Sequence, residues 1–236
     1  MNEALRYAQK IAYSSKEVLQ FTYDMAVKYK DKPGVYVECG VAAGAQIIAM
    51  AAGAPNKTIY AFDSFEGIPL PSNKDNQMPG IRMLSESEQK ALPDPGKQVL
   101  VSSGATVVSL RDFQMHLWSS LVQKDNIIIE PGWFENTMPE YSKEINEISI
   151  LRLDGDLYNS TLVCLEYLYP KVIKGGIVII DDWALPGCQQ AVTDYLIKTD
   201  NGHVNMSFIE SKDSKVAYWY KAAIPKGIID GKAFDI

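Results

Sequence analysis

The sequence predicts an α/β protein: a doubly wound, mostly parallel seven-stranded sheet that ends in an antiparallel hairpin. Three observations carry this expectation. Apolar runs of strand length recur at wide intervals, at 35–39, 58–62, 126–130, 148–153 and 177–180. They are rich in Val, Ile and Tyr, and several are apolar on both faces, which marks parallel strands covered by helices on both sides. Helical periodicity fills the intervals between them. Finally, runs at 204–209 and 216–220 are separated only by a short polar stretch, Glu210 to Ser214, so these two strands must be antiparallel.

Each helix has its own signal. The N-terminal region, about residues 1–31, reads as helical, and Ser14 with Glu17 forms a capping box ahead of Val18, Leu19, Phe21, Met25 and Ala26. Leu110, Phe113, Leu117 and Leu121 recur at helical spacing within 107–122. Leu162, Leu165 and Leu168 line one face of 160–169, and Pro170 closes that helix. A last helix spans about 189–198. The stretch 70–98 resists the scheme: it carries Pro71, Pro79, Pro93 and Pro95 among polar residues and reads as a lid over an acceptor pocket.

Length and composition narrow the classes. A chain of 236 residues fits one domain at about 100–200 residues per domain, and 47% hydrophobic with 22% charged residues is ordinary for a soluble globular protein. A formal net charge of −6 without any Lys/Arg block argues against nucleic acid as the main partner. The most membrane-like stretch, 34–54, carries Glu38 and Gln46 and several glycines, so no membrane span is expected. The start, Met1-Asn2-Glu3-Ala4, has no secretory character. Cys39, Cys164 and Cys188 are odd in number and lie in or beside apolar runs, as free thiols of a cytoplasmic protein would.

In an open parallel sheet, ligands bind beyond the carboxyl ends of the strands. After the first strand comes Glu38-Cys39-Gly40-Val41-Ala42-Ala43-Gly44, a glycine turn into a helix. It lacks the GxGxxG spacing, and the acid before the first glycine would repel a pyrophosphate; it suits a cationic or hydroxyl-bearing ligand. Asp63-Ser64-Phe65-Glu66-Gly67 ends the second strand, where an acid can hold a ribose diol or simply cap a helix. Gly132-Trp133-Phe134 follows the third strand, and its aromatics could wall an adenine ring or belong to the core. The strongest constellation is Asp154-Gly155-Asp156 with Asp181-Asp182, on two neighbouring strand ends. Carboxylates so crowded must be protonated, paired or neutralised by a cation, and oxygen-only ligands select a hard ion, Mg²⁺ first.

Taken in order, Glu38-Cys39-Gly40-Val41, Asp63-Ser64-Phe65-Glu66-Gly67-Ile68-Pro69, Gly132-Trp133-Phe134-Glu135-Asn136-Thr137, Leu153-Asp154-Gly155-Asp156-Leu157-Tyr158 and Gly175-Gly176 with Asp181-Asp182 resemble the macrocin O-methyltransferase family. That family includes the mycinamicin and novobiocin sugar methyltransferases. The resemblance implies a class I, Rossmann-like enzyme that uses S-adenosylmethionine (SAM) and Mg²⁺ to methylate a hydroxyl on a sugar of a natural product or glycan. By position, it implies Asp154, Asp181 and Asp182 as metal ligands. Asp63 and its neighbours Ser64 and Phe65 would hold the ribose, and Glu38, Gly40, Val41 and Gly44 the methionine portion. Gly132, Trp133 and Phe134 would line the adenine side. Relatives are commonly homo-oligomers. Catechol-type enzymes usually carry Asn where Asp182 stands and Lys where Leu157 stands, so an alcohol acceptor is favoured over a phenol. A SAM-binding or metal-binding module without activity is the remaining alternative, and a nucleotide-sugar oxidoreductase is disfavoured by the missing GxGxxG.

A sugar hydroxyl is a poor nucleophile near neutral pH, so a base is needed beside the ion. With no His near these motifs a carboxylate must serve: Asp154 first, Asp156 second. His116, on the flank of a helix, and His203, in a turn, are expected at the surface.

Overall fold

The computed structural model describes residues 2–75, 100–199, 204–211, 215–222, 228–229 and 232–233. The lid expected over 70–98 falls outside the described residues beyond Asp75, as does His203.

Helix α1 (Glu3–Ile11) starts where the Asn2 side chain accepts from the Ala4 amide, and α2 (Lys16–Tyr29) where Ser15 Oγ accepts from Val18. The cap therefore lies one residue beyond the expected Ser14, whose Oγ is taken by Gln46 Nε2 at 2.7 Å. Then come β1 (Val35–Cys39), α3 (Ala45–Gly53), β2 (Ile59–Asp63), α4 (Leu110–Ser119), β3 (Ile127–Pro131), α5 (Phe134–Tyr141), β4 (Ile148–Leu153), α6 (Tyr158–Leu168), β5 (Val172–Ile180), α7 (Pro186–Lys198), β6 (Ser207–Glu210) and β7 (Lys215–Tyr220). Helix α5 is an addition to the sequence reading: eight residues with Pro139 inside are too short to show a clear period. Strand β5 starts five residues earlier than its apolar run, because Gly175 and Gly176 break the pattern while their backbone still pairs with Lys221.

Seven strands form one sheet in the order β3-β2-β1-β4-β5-β7-β6. β1 to β5 are mutually parallel, and β7 runs antiparallel to both β5 and β6, as the short polar loop requires. One core cluster joins α1 to α4 to one face, through residues such as Leu19, Ile47, Phe113 and Ile150. The other joins α5, α6 and α7 to the opposite face, through Met138, Leu165, Val192 and Leu151. From β1 the chain winds outward to β3, then crosses back to place β4 on the other side of β1. Loops leaving β1 and β4 part in opposite directions there, which opens a crevice at their carboxyl ends.

Leu151, in the middle of β4 with no exposed surface, tests this core. Leu151→Ala is expected to cost about 2–5 kcal/mol, read as a lower urea midpoint with an unchanged m-value.

Candidate active site

A cavity of about 290 Å³ occupies that crevice, lined by residues at or beyond the carboxyl ends of β1, β2, β3, β4 and β5, by Ile11 at the end of α1 and by Tyr13 and Ser14 after it. Its floor is the turn after β1. Gly40 adopts φ 88°, and a Cβ there would overlap the Asp154 carbonyl, so only glycine lets the β1 and β4 tips meet. The Asp154 amide donates to Cys39 O at 2.8 Å, which extends the ladder into the loops. Asp63, ending β2, ties the same turn down: Oδ2 accepts from the Val41 and Ala42 amides at 2.8 and 2.9 Å, and Oδ1 from Phe65 at 2.7 Å. A carboxylate offers about four lone-pair positions, so one remains for a ligand hydroxyl.

Among the described residues six carboxylates line the cavity, from Glu38, Asp63, Asp154, Asp156, Asp181 and Asp182, and no Lys, Arg or His side chain does. The counter-charge lies beneath them. Arg152, in β4 with no exposed surface, pairs with Glu38 in register across from it on β1. Its Nη1 reaches Glu38 Oε1 at 2.7 Å and Asp154 Oδ2 at 2.8 Å, and Nη2 binds Asp181 Oδ1. Burial opposes the Arg152 charge, but Asp181, Asp154 and Glu38 outweigh it and hold the guanidinium protonated above its ordinary range.

One guanidinium cannot balance six acids. Burial pushes Glu38 up to about 8, against the pull of Arg152. Asp156 rises to about 7 through burial and then through Asp154, Asp181 and Asp63; Asp181 also rises to about 7 through burial, opposed by Arg152. Asp182 is raised well above its ordinary value by burial, then by Asp154, Asp156 and Asp181. Asp63 is raised by burial despite its three amide donors. One oxygen each from Asp154, Asp156 and Asp182 lies within 4.8 Å of the others. This oxygen-only set, of which Asp154 alone meets Arg152, fits a hard divalent cation. Asp181 lines the same cavity but is not one of that trio, and its Oδ1 is bound by Arg152 Nη2. Asp156, at φ 58°, enters the group instead, with its amide donating to Asp182 Oδ2 at 2.8 Å.

Of the residues expected to bind the cofactor, Glu38, Gly40, Val41, Asp63, Ser64, Trp133 and Phe134 line the cavity. Gly44, Phe65 and Gly132 do not. Gly44 serves the start of α3 at φ 87°, where a Cβ would press on Phe113. Phe65 packs at a tilt against that same Phe113, 5.4 Å between centroids, and the space a Cβ on Gly132 would need is held by Thr137. The sequence reading passed over Arg152, although a charged residue inside an otherwise apolar strand, two positions before an acid, was the available signal. It also passed over Gln46. Two buried oxygens facing this region, Glu38 Oε2 and Gln46 Oε1, have no hydrogen-bond partner among the described residues. Such orphaned acceptors point to a donor-bearing ligand. His116 is partly buried rather than simply a surface residue, with its Nδ1 2.9 Å from Tyr7 Oη, and does not line the cavity.

Known proteins share this sequence pattern and fold. The family model described as macrocin-O-methyltransferase (TylF) matches residues 18–221. The mycinamicin III 3''-O-methyltransferase of Micromonospora griseorubida is 30% identical over 81% of this chain and 70% of its own length. The demethyldecarbamoylnovobiocin O-methyltransferase of Streptomyces niveus is 33% identical over 71% of this chain, which spans 60% of that relative. The solved O-methyltransferase NovP superposes with a TM-score of 0.68 at 28% identity, covering 89% of this chain and 81% of its own. Among the described residues no helix is long and apolar enough to cross a membrane. The chain belongs to the macrocin O-methyltransferase family, as an enzyme of the class I methyltransferase fold.

Proposed function

We propose that the chain transfers a methyl group from SAM to a hydroxyl on a sugar of a natural product or glycan, with Mg²⁺ bound beside the acceptor. The observation that carries this reading is a cavity whose six acids answer to one buried arginine. Such a cavity repels pyrophosphate cofactors and favours a sulfonium that also carries an ammonium, together with a divalent cation. When bound, SAM supplies an electrophilic methyl, and Mg²⁺ supplies charge that makes a neighbouring hydroxyl more acidic.

The chain's own residues then bind, orient and take a proton. Glu38 Oε2 and Gln46 Oε1 are the acceptors available to the ammonium. Asp63 has one lone-pair position left for a ribose hydroxyl, and Trp133 and Phe134 offer the adenine wall. Asp154, Asp156 and Asp182 are assigned to the ion. A base works best with a proton affinity near the operating pH, which selects a carboxylate oxygen of Asp156 over Asp154, whose Oδ2 is already engaged by Arg152 Nη1. Leu157 is 2% exposed and among the described residues no lysine lines the cavity, which supports an alcohol acceptor over a catechol.

Label transfer from methyl-tritiated SAM to hydroxylated glycosides is expected, abolished by EDTA and restored by Mg²⁺. Transfer that persists in EDTA would remove the metal from this reading, and SAM binding without transfer to any glycoside would remove the acceptor. Asp156→Asn should lower kcat by about 10²–10⁴ and remove the acidic limb of the pH–rate profile, with SAM affinity nearly unchanged. Asp154→Asn should chiefly weaken the ion.

The acids with raised proton affinity also set a pH dependence. Glu38, Asp156 and Asp181 bind protons in the folded metal-free chain up to about pH 7–8, whereas unfolded carboxyls release theirs near pH 4–4.5. Raising the pH through that window therefore favours unfolding, so the melting temperature in EDTA should fall between about pH 5 and 8. Saturating Mg²⁺ should flatten the fall; equal slopes with and without the ion would argue against a cation among these acids.

A further inference from the structure

We propose that Asp75 is a positioning residue for methyl transfer: it caps α6 and thereby fixes the 154–156 turn that presents two of the cavity acids. The inference rests on reading that turn as part of the transferase site. Leu157, the residue at the N-terminal boundary of α6, supplies no side-chain cap. Its place is taken from far along the chain, where the Tyr158 amide donates to Asp75 Oδ1 at 2.6 Å. The other carboxylate oxygen accepts from Ser72 N at 2.9 Å and Ser72 Oγ at 2.6 Å, and Asp75 is 3% exposed. Asp75 does not line the cavity, so it acts through the turn and not on a substrate.

The turn needs such a hold. Asp156 sits at φ 58°, a conformation that costs a non-glycine residue energy and persists only where its surroundings impose it. On the cavity side, Asp182 Oδ2 grips the Asp156 amide at 2.8 Å. On the outer side, Asp75 grips Tyr158, two residues on. The same segment reaches α6 and α7 again. Lys74 Nζ stands 5.0 Å from the Tyr158 ring centroid, and Tyr158 Oη donates to Asp194 Oδ2 of α7 at 2.8 Å. Gly187, in the first turn of α7 and five residues past Asp182, leaves room for the Asp75 carboxylate, which a Cβ there would overlap. Asp75 is thus wedged between the helices that follow the two acid-bearing loops.

The test compares the wild-type chain with Asp75→Ala, Asp75→Asn and Gly187→Ala. Amide exchange at Tyr158 should quicken about five-fold in Asp75→Ala, the effect of losing one helix cap. Mn²⁺ affinity by calorimetry and kcat should fall together, with SAM affinity held within about two-fold. Asp75→Asn, which keeps an acceptor for Tyr158, should restore most of each, and Gly187→Ala should reproduce the loss by displacing an intact carboxylate. Unchanged Tyr158 exchange and kcat in Asp75→Ala would overturn the proposal, as would Asn behaving like Ala throughout. If wild-type protein binds no Mn²⁺, the metal reading fails, and Tyr158 exchange alone still decides whether Asp75 holds the turn.

Discussion

The site depends on one buried guanidinium. Arg152 lies within β4, in register with Glu38 on β1, and bridges to Asp154 just past the end of its own strand and to Asp181 just past the end of β5. Removing a charge from water costs several kcal/mol, recovered only if its donors find partners in good geometry. The planar fork of arginine can bind three acids at once; a lysine ammonium cannot reach them in the same way. The pairing therefore demands that β1, β4 and β5 keep their relative register. Catalytic geometry and sheet geometry are in this respect one constraint.

The same balance explains what the crevice admits. A switch point between two parallel strands is a common seat for dinucleotides, whose pyrophosphate needs amides and positive charge. Here the amides of Val41 and Ala42, which could have faced a phosphate, are consumed by Asp63. Acids occupy the remaining wall. One architecture is thus turned from anionic toward cationic ligands by where a few carboxylates point.

Much of this was legible in the sequence. The strands at 35–39 and 148–153 have the boundaries that their apolar runs suggest, and the hairpin follows from loop length alone. The acids stand out because carboxylates rarely crowd strand ends. What the sequence concealed is direction. Asp181 and Asp182 are adjacent, yet one faces Arg152 and the other the converging oxygens. Gly44, Phe65 and Gly132 belong to motifs that line the cavity, yet themselves serve turns and packing. Partners far apart in sequence, such as Asp75 with Tyr158 or Gln46 with Ser14, leave no local pattern to read.

The contact between the Gly40 turn and the Asp154 carbonyl has a broader meaning for how such a catalyst can diversify. Because these two tips touch backbone to backbone, the spacing between the Gly40 turn and the Asp154–Asp156 acids is set by the sheet and not by any guest. Ile68, Pro69 and Thr106, which also line the crevice, lie on the connection between β2 and α4 and take no part in that contact. Changes of guest can accumulate along that connection while the reactive geometry is inherited intact.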